Sequence, residues 1–297
     1  MATTATAMPT QAEKAQAFRA LHERDSAFII PNPWDVGTAR VLAHLDFEAL
    51  ATTSMGYAFS VGRRDNTLDR QETLAYASVI ASATRLPVSA DLENGFGDAP
   101  EAVAETIRLA VAAGVVGGSI EDATGRSGHP IYDLEFAAER VRAAVEAARA
   151  LSFPFTLTAR AENYLHGRAD LADTIERLQA YQEAGADVLY APALASKDDI
   201  AAVVRSVDRP VNVLMGLQGV QLSLAELSAI GVRRVSVGSS LARAAMGAFL
   251  RAAREMREQG TFTFASEAAS PKELTSIFKT RLPRPHHRLT YPDDAGV

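Results

Sequence analysis

The chain has no cysteine among its 297 residues. That absence excludes disulfide scaffolds, thiolate metal sites and cysteine nucleophiles together. No apolar run approaches the ~20 residues that a membrane-spanning helix needs. Basic residues are not in excess: the formal charge is −6, and the Lys and Arg residues are scattered over stretches of helical character. A nucleic-acid-binding face would concentrate them. The opening MATTATAMPTQAEKAQ lacks the apolar centre of a signal peptide. We expect a cytoplasmic protein with a frayed start, binding neither nucleic acid nor membrane.

What is present is a large apolar fraction, 47%, in a regular arrangement. Short β-branched or apolar runs recur at Phe28–Ile30, Ala49–Thr53, Pro87–Asp91, Gly117–Glu121, Phe155–Arg160, Val188–Ala191, Val211–Leu214 and Arg234–Gly238. Each is short enough to be a strand covered on both faces. Between them lie helical stretches with recognisable ends. Asp98 precedes Pro100 in the manner of a helix cap, and Ser196–Asp199 and Ser223–Glu226 read as capping boxes. The helix starting at Asp170 stops at Gly185, and the one starting at Ser223 stops at Gly231.

Eight strand-then-helix units without a change of composition predict a (β/α)8 TIM barrel, an α/β fold with an appended C-terminal helical segment. An open doubly wound sheet is the alternative, but the Gly-rich dinucleotide fingerprint is missing after the first strand. We divide the chain into an N-terminal segment (1–20), the barrel (21–260) and a C-terminal helix with its tail (261–297). The tail helix is placed at Ser270–Thr280.

In a barrel of this kind the active site lies at the C-terminal ends of the strands. Read in order, those ends carry Asn32 and Trp34; Ser54-Met55-Gly56-Tyr57; Asp91 and Glu93; Glu121-Asp122; Arg160, Glu162 and Asn163; Tyr190; Asn212; and Gly238-Ser239. The acids gather on strands three to five. Residues two apart in an extended chain face the same side, so Asp91 and Glu93 can converge with Glu121 from the next strand. Three like charges in one mouth repel unless a cation lies among them. Oxygen ligands without His or Cys suit a hard ion, Mg²⁺ with Mn²⁺ as substitute. Arg160 could then fix a substrate carboxylate. Single acids after strands also cap helices, and Asp98 and Asp122 could do so. Trp34 reads as packing. His22, His44 and His166 are isolated and read as surface or satisfied residues, and His286 and His287 lack metal-ligand spacing.

The segments PNPWDVGTAR, TTSMGY, GRRDN, SADLENGFG, GGSIEDATG, LTARAENY, VLYAPAL, PVNVLMG and VSVGSSLAR, in that order, resemble the isocitrate lyase/phosphoenolpyruvate mutase superfamily over residues 25–250 or so. The resemblance implies a Mg²⁺ site built from Asp91, Glu93 and Glu121. It implies that Arg160 holds the carboxylate or enolate, and that Ser54, Met55, Gly56 and Tyr57 border a turn gripping substrate oxygens. Asn212 joins the substrate-binding set, and Asp65 belongs to a gating loop. Catalytic parts fall to Asp65, Arg160 and Ser54. It further implies a homo-oligomer, tetramer or dimer, in which the C-terminal helix swaps onto a neighbour.

The departures bear on substrate. Glu93 stands where the superfamily commonly has Asp. Gly125-Arg126-Ser127-Gly128-His129 replaces the Lys-Arg-Cys-Gly-His loop of the isocitrate and methylisocitrate lyases, so their acid–base cysteine is absent. Their glutamate after the sixth strand and their Thr-Glu-Phe-Gly segment are missing from YAPAL and LMG. The phosphonomutase loop signature is not evident, and Arg126 is the one cation there. We expect a lyase cutting a C–C bond in a small 2-oxo or 2-hydroxy acid, oxaloacetate-like or a substituted malate. C–P chemistry on phosphonopyruvate is the alternative within enzymes. A non-catalytic 2-oxo-acid-binding barrel is the alternative outside them.

Overall fold

The computed structural model describes residues 8–194, 196–217 and 219–279. The strands are β1 (Phe28–Ile30), β2 (Leu50–Ala51), β3 (Val88–Asp91), β4 (Gly117–Glu121), β5 (Thr156–Arg160), β6 (Val188–Tyr190), β7 (Val211–Leu214) and β8 (Arg234–Ser236). The helices are α1 (Gln11–His22), α2 (Val36–His44), α3 (Ser54–Ser60), α4 (Arg70–Ala83), α5 (Pro100–Ala112), α6 (Leu134–Arg149), α7 (Leu171–Glu183), α8 (Lys197–Arg205), α9 (Leu224–Ala229), α10 (Ser240–Gln259) and α11 (Pro271–Ile277). All strand pairs are parallel, in the order β1-β8-β7-β6-β5-β4-β3-β2. The remaining seam is bridged by Ala51 N–H donating to Pro31 O at 3.1 Å and by Asn32 Nδ2 donating to Thr52 O at 2.9 Å. Pro31 has no N–H to return, which is why this seam is thin. The result is a nearly closed (β/α)8 barrel.

Three expected strands end early: β6 stops one residue short, at Tyr190, and β2 and β8 stop for visible reasons. Thr53 leaves β2 because its hydroxyl caps α3, accepting from Gly56 N–H at 3.2 Å. Val237 and Gly238 leave β8 because their N–H groups donate to the Asn32 side chain at 3.0 and 2.9 Å instead of to a neighbouring strand. Ser223 and Glu226 form the expected capping box of α9; Ser196 caps α8 by accepting Asp199 N–H without the return bond of a box, and Asp170 caps α7. Asp98 does not cap α5, whose first residues follow an uncapped Ala99. Its carboxylate accepts instead from Tyr132 Oη and the Arg126 guanidinium.

The boundary drawn at residue 20 falls inside α1. Ala15, Phe18 and Leu21 of that helix are buried with Phe28, Ile30 and Val116, plugging the barrel at the end away from the strand C-termini. The fit is close: a Cβ at Gly117 would lie 2.8 Å from the Phe18 ring and 2.9 Å from Thr156 O. Buried Lys14 of α1 ties this plug to α4, donating to Ala81 O and Thr84 O at 3.0 and 2.9 Å. Burial and nearby Arg85 push its ammonium down to about 8. At the other terminus α11, capped by Ser270, rests on α2 of the same chain, where Arg40 donates to Phe278 O at 3.1 Å. Residue 280 and the tail histidines His286 and His287 lie outside the described residues. No helix among those described is long and apolar enough to cross a membrane.

Candidate active site

A cavity of about 560 Å³ opens at the C-terminal ends of the strands. Its wall contains five carboxylates, Asp65, Asp91, Glu93, Glu121 and Glu162. Arg160, at the end of β5, lies among them. Its Nη1 is 3.1 Å from Asp91 Oδ1 and 3.2 Å from Glu121 Oε2, and its Nη2 is 2.7 Å from Glu162 Oε1. Burial alone would lower this guanidinium, but Glu162, Glu121 and Asp91 more than offset it and hold it well above its ordinary value. Glu162 is itself buried, and its backbone N–H donates to Asp122 Oδ1 at 2.8 Å. Asp122 accepts in turn from Tyr181 Oη at 2.6 Å and Arg177 Nη1 at 3.1 Å. A chain of buried polar groups thus runs from α7 to the arginine at the mouth.

Glu93 differs from its neighbours. Its backbone has φ +48°, a left-handed conformation that side chains other than glycine seldom adopt. Its carbonyl accepts Glu121 N–H at 3.0 Å, so the turn that positions one acid also holds the other. Glu93 Oε1 and Asp65 Oδ1 are buried without a hydrogen-bond partner. Burial, then the charges of Asp91 and Asp65, push the Glu93 carboxyl up to about 8. Burial and Asp91 likewise raise Asp65, while burial raises Glu121 well above its ordinary value.

Among the described residues, Asp91, Glu93 and Glu121 are not drawn around one common point at metal-ligand distances. Arg160 bonds two of them and Glu93 stands apart. The donor set nevertheless fits a hard divalent cation: all ligands are carboxylate oxygens, and two of the neighbouring oxygens are buried and unsatisfied. A cation there would supply the charge these oxygens lack.

The expected substrate-binding turn divides. Ser54 and Met55 line the cavity. Ser54 Oγ and N both donate to Asp91 Oδ2, at 3.0 and 3.3 Å. Gly56 and Tyr57 face away: the glycine N–H closes the Thr53 cap, and the tyrosine ring stacks on Tyr76 at 4.0 Å between centroids. Gly56 is required for contact, since a Cβ would lie 2.6 Å from Thr53 Cγ2 and 3.2 Å from Ala242 Cβ of α10. Asn212 lines the cavity floor, but its amide already bonds Arg234 and Ser236, both at 2.9 Å.

Several participants were given no role from sequence. Glu162, read at the end of the fifth strand, stands two residues after Arg160, the same spacing as Asp91 and Glu93, and could have been paired by that rule. Arg234 is a cation inside an apolar strand run, which was the available signal. His166, read as an isolated surface residue, lines the cavity, as does Arg243 of α10. His22, read as surface or satisfied, is the latter: it is buried and bonded to Phe18 O.

A parallel eight-stranded barrel with a carboxylate-rich cavity around Arg160 at the C-terminal ends of its strands is an enzyme-type α/β barrel. A family model described as phosphoenolpyruvate phosphomutase matches residues 18–257, and the chain belongs to that family, within the phosphoenolpyruvate mutase/isocitrate lyase superfamily. A solved structure from Burkholderia cenocepacia J2315, described as a lyase or mutase candidate, is 66% identical with a TM-score of 0.89, covering 91% of this chain and 97% of that one. An oxaloacetate decarboxylase of Chromohalobacter salexigens is 30% identical over 281 residues, 92% of this chain and 94% of its own length. Phosphonopyruvate hydrolase, solved with oxalate and Mg²⁺, superposes with a TM-score of 0.79 at 26% identity, covering 89% of this chain and 94% of that one.

Proposed function

We propose that the protein is a Mg²⁺-dependent lyase, working in the cytoplasm, that cleaves a C–C bond in a small 2-oxo or 2-hydroxy acid such as an oxaloacetate-like compound or a substituted malate. The observation that carries this reading is the surplus of cavity carboxylates around Arg160, two of whose oxygens, on Glu93 and Asp65, are buried and unpaired. Asp91, Glu93 and Glu121 would hold the ion. Bound there, Mg²⁺ supplies Lewis-acid polarisation of the substrate's 2-oxo and carboxylate oxygens.

The chain's own groups do the rest. Arg160 orients a substrate carboxylate and stabilises the charge that develops on the enolate oxygen. Glu162, fixed by Asp122, keeps the guanidinium from swinging away. Ser54 holds Asp91 in place through two hydrogen bonds. The loop carrying Asp65 lies over the mouth and would exclude water on closing. Carbon rather than phosphorus chemistry is favoured by Arg126: the cation of the β4 loop is bound to Asp98 and is not part of the cavity wall.

The test is a panel of 2-oxo acids, malates and phosphonopyruvate, each with Mg²⁺ or EDTA, with products read by mass spectrometry. Mg²⁺-dependent cleavage of a 2-oxo or 2-hydroxy acid is the expected result. Metal-independent turnover, binding without conversion, or full activity in Glu121→Gln would refute the assignment.

We also infer that the chain works as a homo-oligomer. The helix α10 leaves Leu241, Met246, Phe249, Leu250 and Met256 exposed, and a second copy is the occupant that fits such a face. Sedimentation should show a dimer or tetramer that Phe249→Asp weakens; a monomer at micromolar concentration would overturn this.

A further inference from the structure

The five carboxylates of the cavity wall lie on one side of the barrel, at the ends of β3, β4 and β5 and on the loop that carries Asp65. The opposite side is built at β8, which stands four strands from β4 in either direction round the barrel. Leu214, Leu217 and Val237 make that side apolar in part. Its polar side chains Asn212, Ser236 and Arg234 are spent on one another, with both Asn212 bonds at 2.9 Å. Arg243 of α10 completes the wall, and it differs from all of these. Its guanidinium has no hydrogen-bond or ion-pair partner among the described residues.

Helix stability does not account for the position of Arg243. It is the fourth residue of α10, whose first turn has no acidic residue, and a cation there opposes the helix macrodipole. Packing does not account for it either, because the residue is exposed. Of the three arginines in the wall, Arg160 is bound by three carboxylates and Arg234 by neutral groups, so Arg243 is the one with its donors still to give. A substrate held at Asp91, Glu93, Glu121 and Arg160 turns its first carboxylate to the acid side. A second carboxylate turned the same way would face like charges, whereas across the cavity it meets Arg243. The planar guanidinium fork matches a carboxylate through two parallel hydrogen bonds.

We propose that Arg243 is a substrate-binding residue that takes the second carboxylate of a dicarboxylic acid, and so selects a 2-oxo or 2-hydroxy dicarboxylate over its monocarboxylate counterpart. The inference rests on the lyase reading above and narrows its substrate class. The bond to be broken lies between the two carboxylates, so anchoring both ends aligns it for cleavage.

The experiment compares racemic malate with racemic lactate, which lacks the second carboxylate. Each displaces oxalate from the full-length protein in Mg²⁺, followed by calorimetry, and sedimentation is run on the same samples. Wild type should bind malate at least ~10-fold more tightly than lactate, the scale of a hydrogen bond to a charged group. Arg243→Gln should bring that ratio close to one while leaving oxalate affinity and sedimentation unchanged, and Arg243→Lys should keep part of the preference. A preference that survives in Arg243→Gln, or none in wild type, would overturn the inference while Mg²⁺-dependent oxalate binding left the lyase reading standing. Equal loss of oxalate, malate and lactate binding in Arg243→Gln would also overturn it, since the residue would then not select. Wild type that binds no oxalate with Mg²⁺ would overturn the lyase reading and the inference with it.

Discussion

The imidazole of His22 should make the fold acid-sensitive by an amount that its surroundings set. The ring is wedged between Phe18 and Phe28, with centroids at 4.8 and 5.1 Å, and Nε2 faces Arg234. A second ring proton would have to point at a guanidinium in a buried site. Burial first, then Arg234, push His22 from 6.5 down to about 3. Between those values the unfolded chain carries a proton that the folded chain refuses, so stability rises with pH through the window and is lost on acidification. Each pH unit is worth about 1.4 kcal/mol, which gives ~2 kcal/mol at pH 5 and at most ~5 kcal/mol near pH 3. That is a large part of the ~5–15 kcal/mol that stabilises a typical domain. The assay is urea unfolding of wild type and His22→Gln from pH 7 to pH 5. Glutamine keeps a donor and an acceptor but does not titrate, so it should cost ~1–3 kcal/mol at pH 7. The gap should narrow by ~2 kcal/mol at pH 5, and carboxylates common to both proteins cancel in the comparison. Parallel pH curves would refute the burial argument.

Glu93→Gln should raise the thermal midpoint in EDTA at pH 8, where the wild-type carboxyl is losing a proton it holds up to about 8. The same variant should lose most of the midpoint gain that Mg²⁺ gives wild type; an equal gain would remove Glu93 from the ligand set. Tyr181→Phe deletes a donor to buried Asp122 and should cost ~1–3 kcal/mol in denaturant unfolding, with kcat falling because Asp122 no longer fixes Glu162. Unchanged kcat would show that Glu162 needs no such support. Gly117→Ala should cost ~1–3 kcal/mol, because the new methyl meets the Phe18 ring at 2.8 Å; an unchanged melt would mean that α1 shifts freely.

The barrel was legible because its signals are local. Apolar runs of strand length, capping residues and glycine stops repeat along the chain, and the strand order of a (β/α)8 barrel follows from them. The acids at the ends of β3 and β4 and Arg160 on β5 were legible for the same reason: strand ends are where a barrel displays its site. What escaped depends on rotation or on distance. Because α3 starts at Ser54, each following residue turns by ~100°, so Ser54 and Met55 face the cavity while Tyr57 reaches Tyr76. Asp98 looked like a cap, yet its partners Arg126 and Tyr132 come from another loop. The segment 1–20 was set apart from the barrel, yet Ala15 and Phe18 within it are core, because only the closed barrel creates the hole that α1 fills.

Two arginines of the cavity wall, Arg160 and Arg234, show how charge is divided between its sides. Arg160 sits among Asp91, Glu121 and Glu162, and of these Glu162 is the least free to move, since its own backbone is bound to Asp122. Asp91 and Glu121 are therefore the partners that can turn to a divalent cation or a substrate while Arg160 stays anchored. Arg234 has only neutral partners, so burial lowers it to about 10 without any carboxylate to hold it up. An unpaired buried cation is costly unless its field is used. Here Arg234 donates to the Asn212 amide oxygen, which leaves the Asn212 NH₂ to donate to Ser236 Oγ, so the guanidinium fixes the orientation of the amide at the cavity floor.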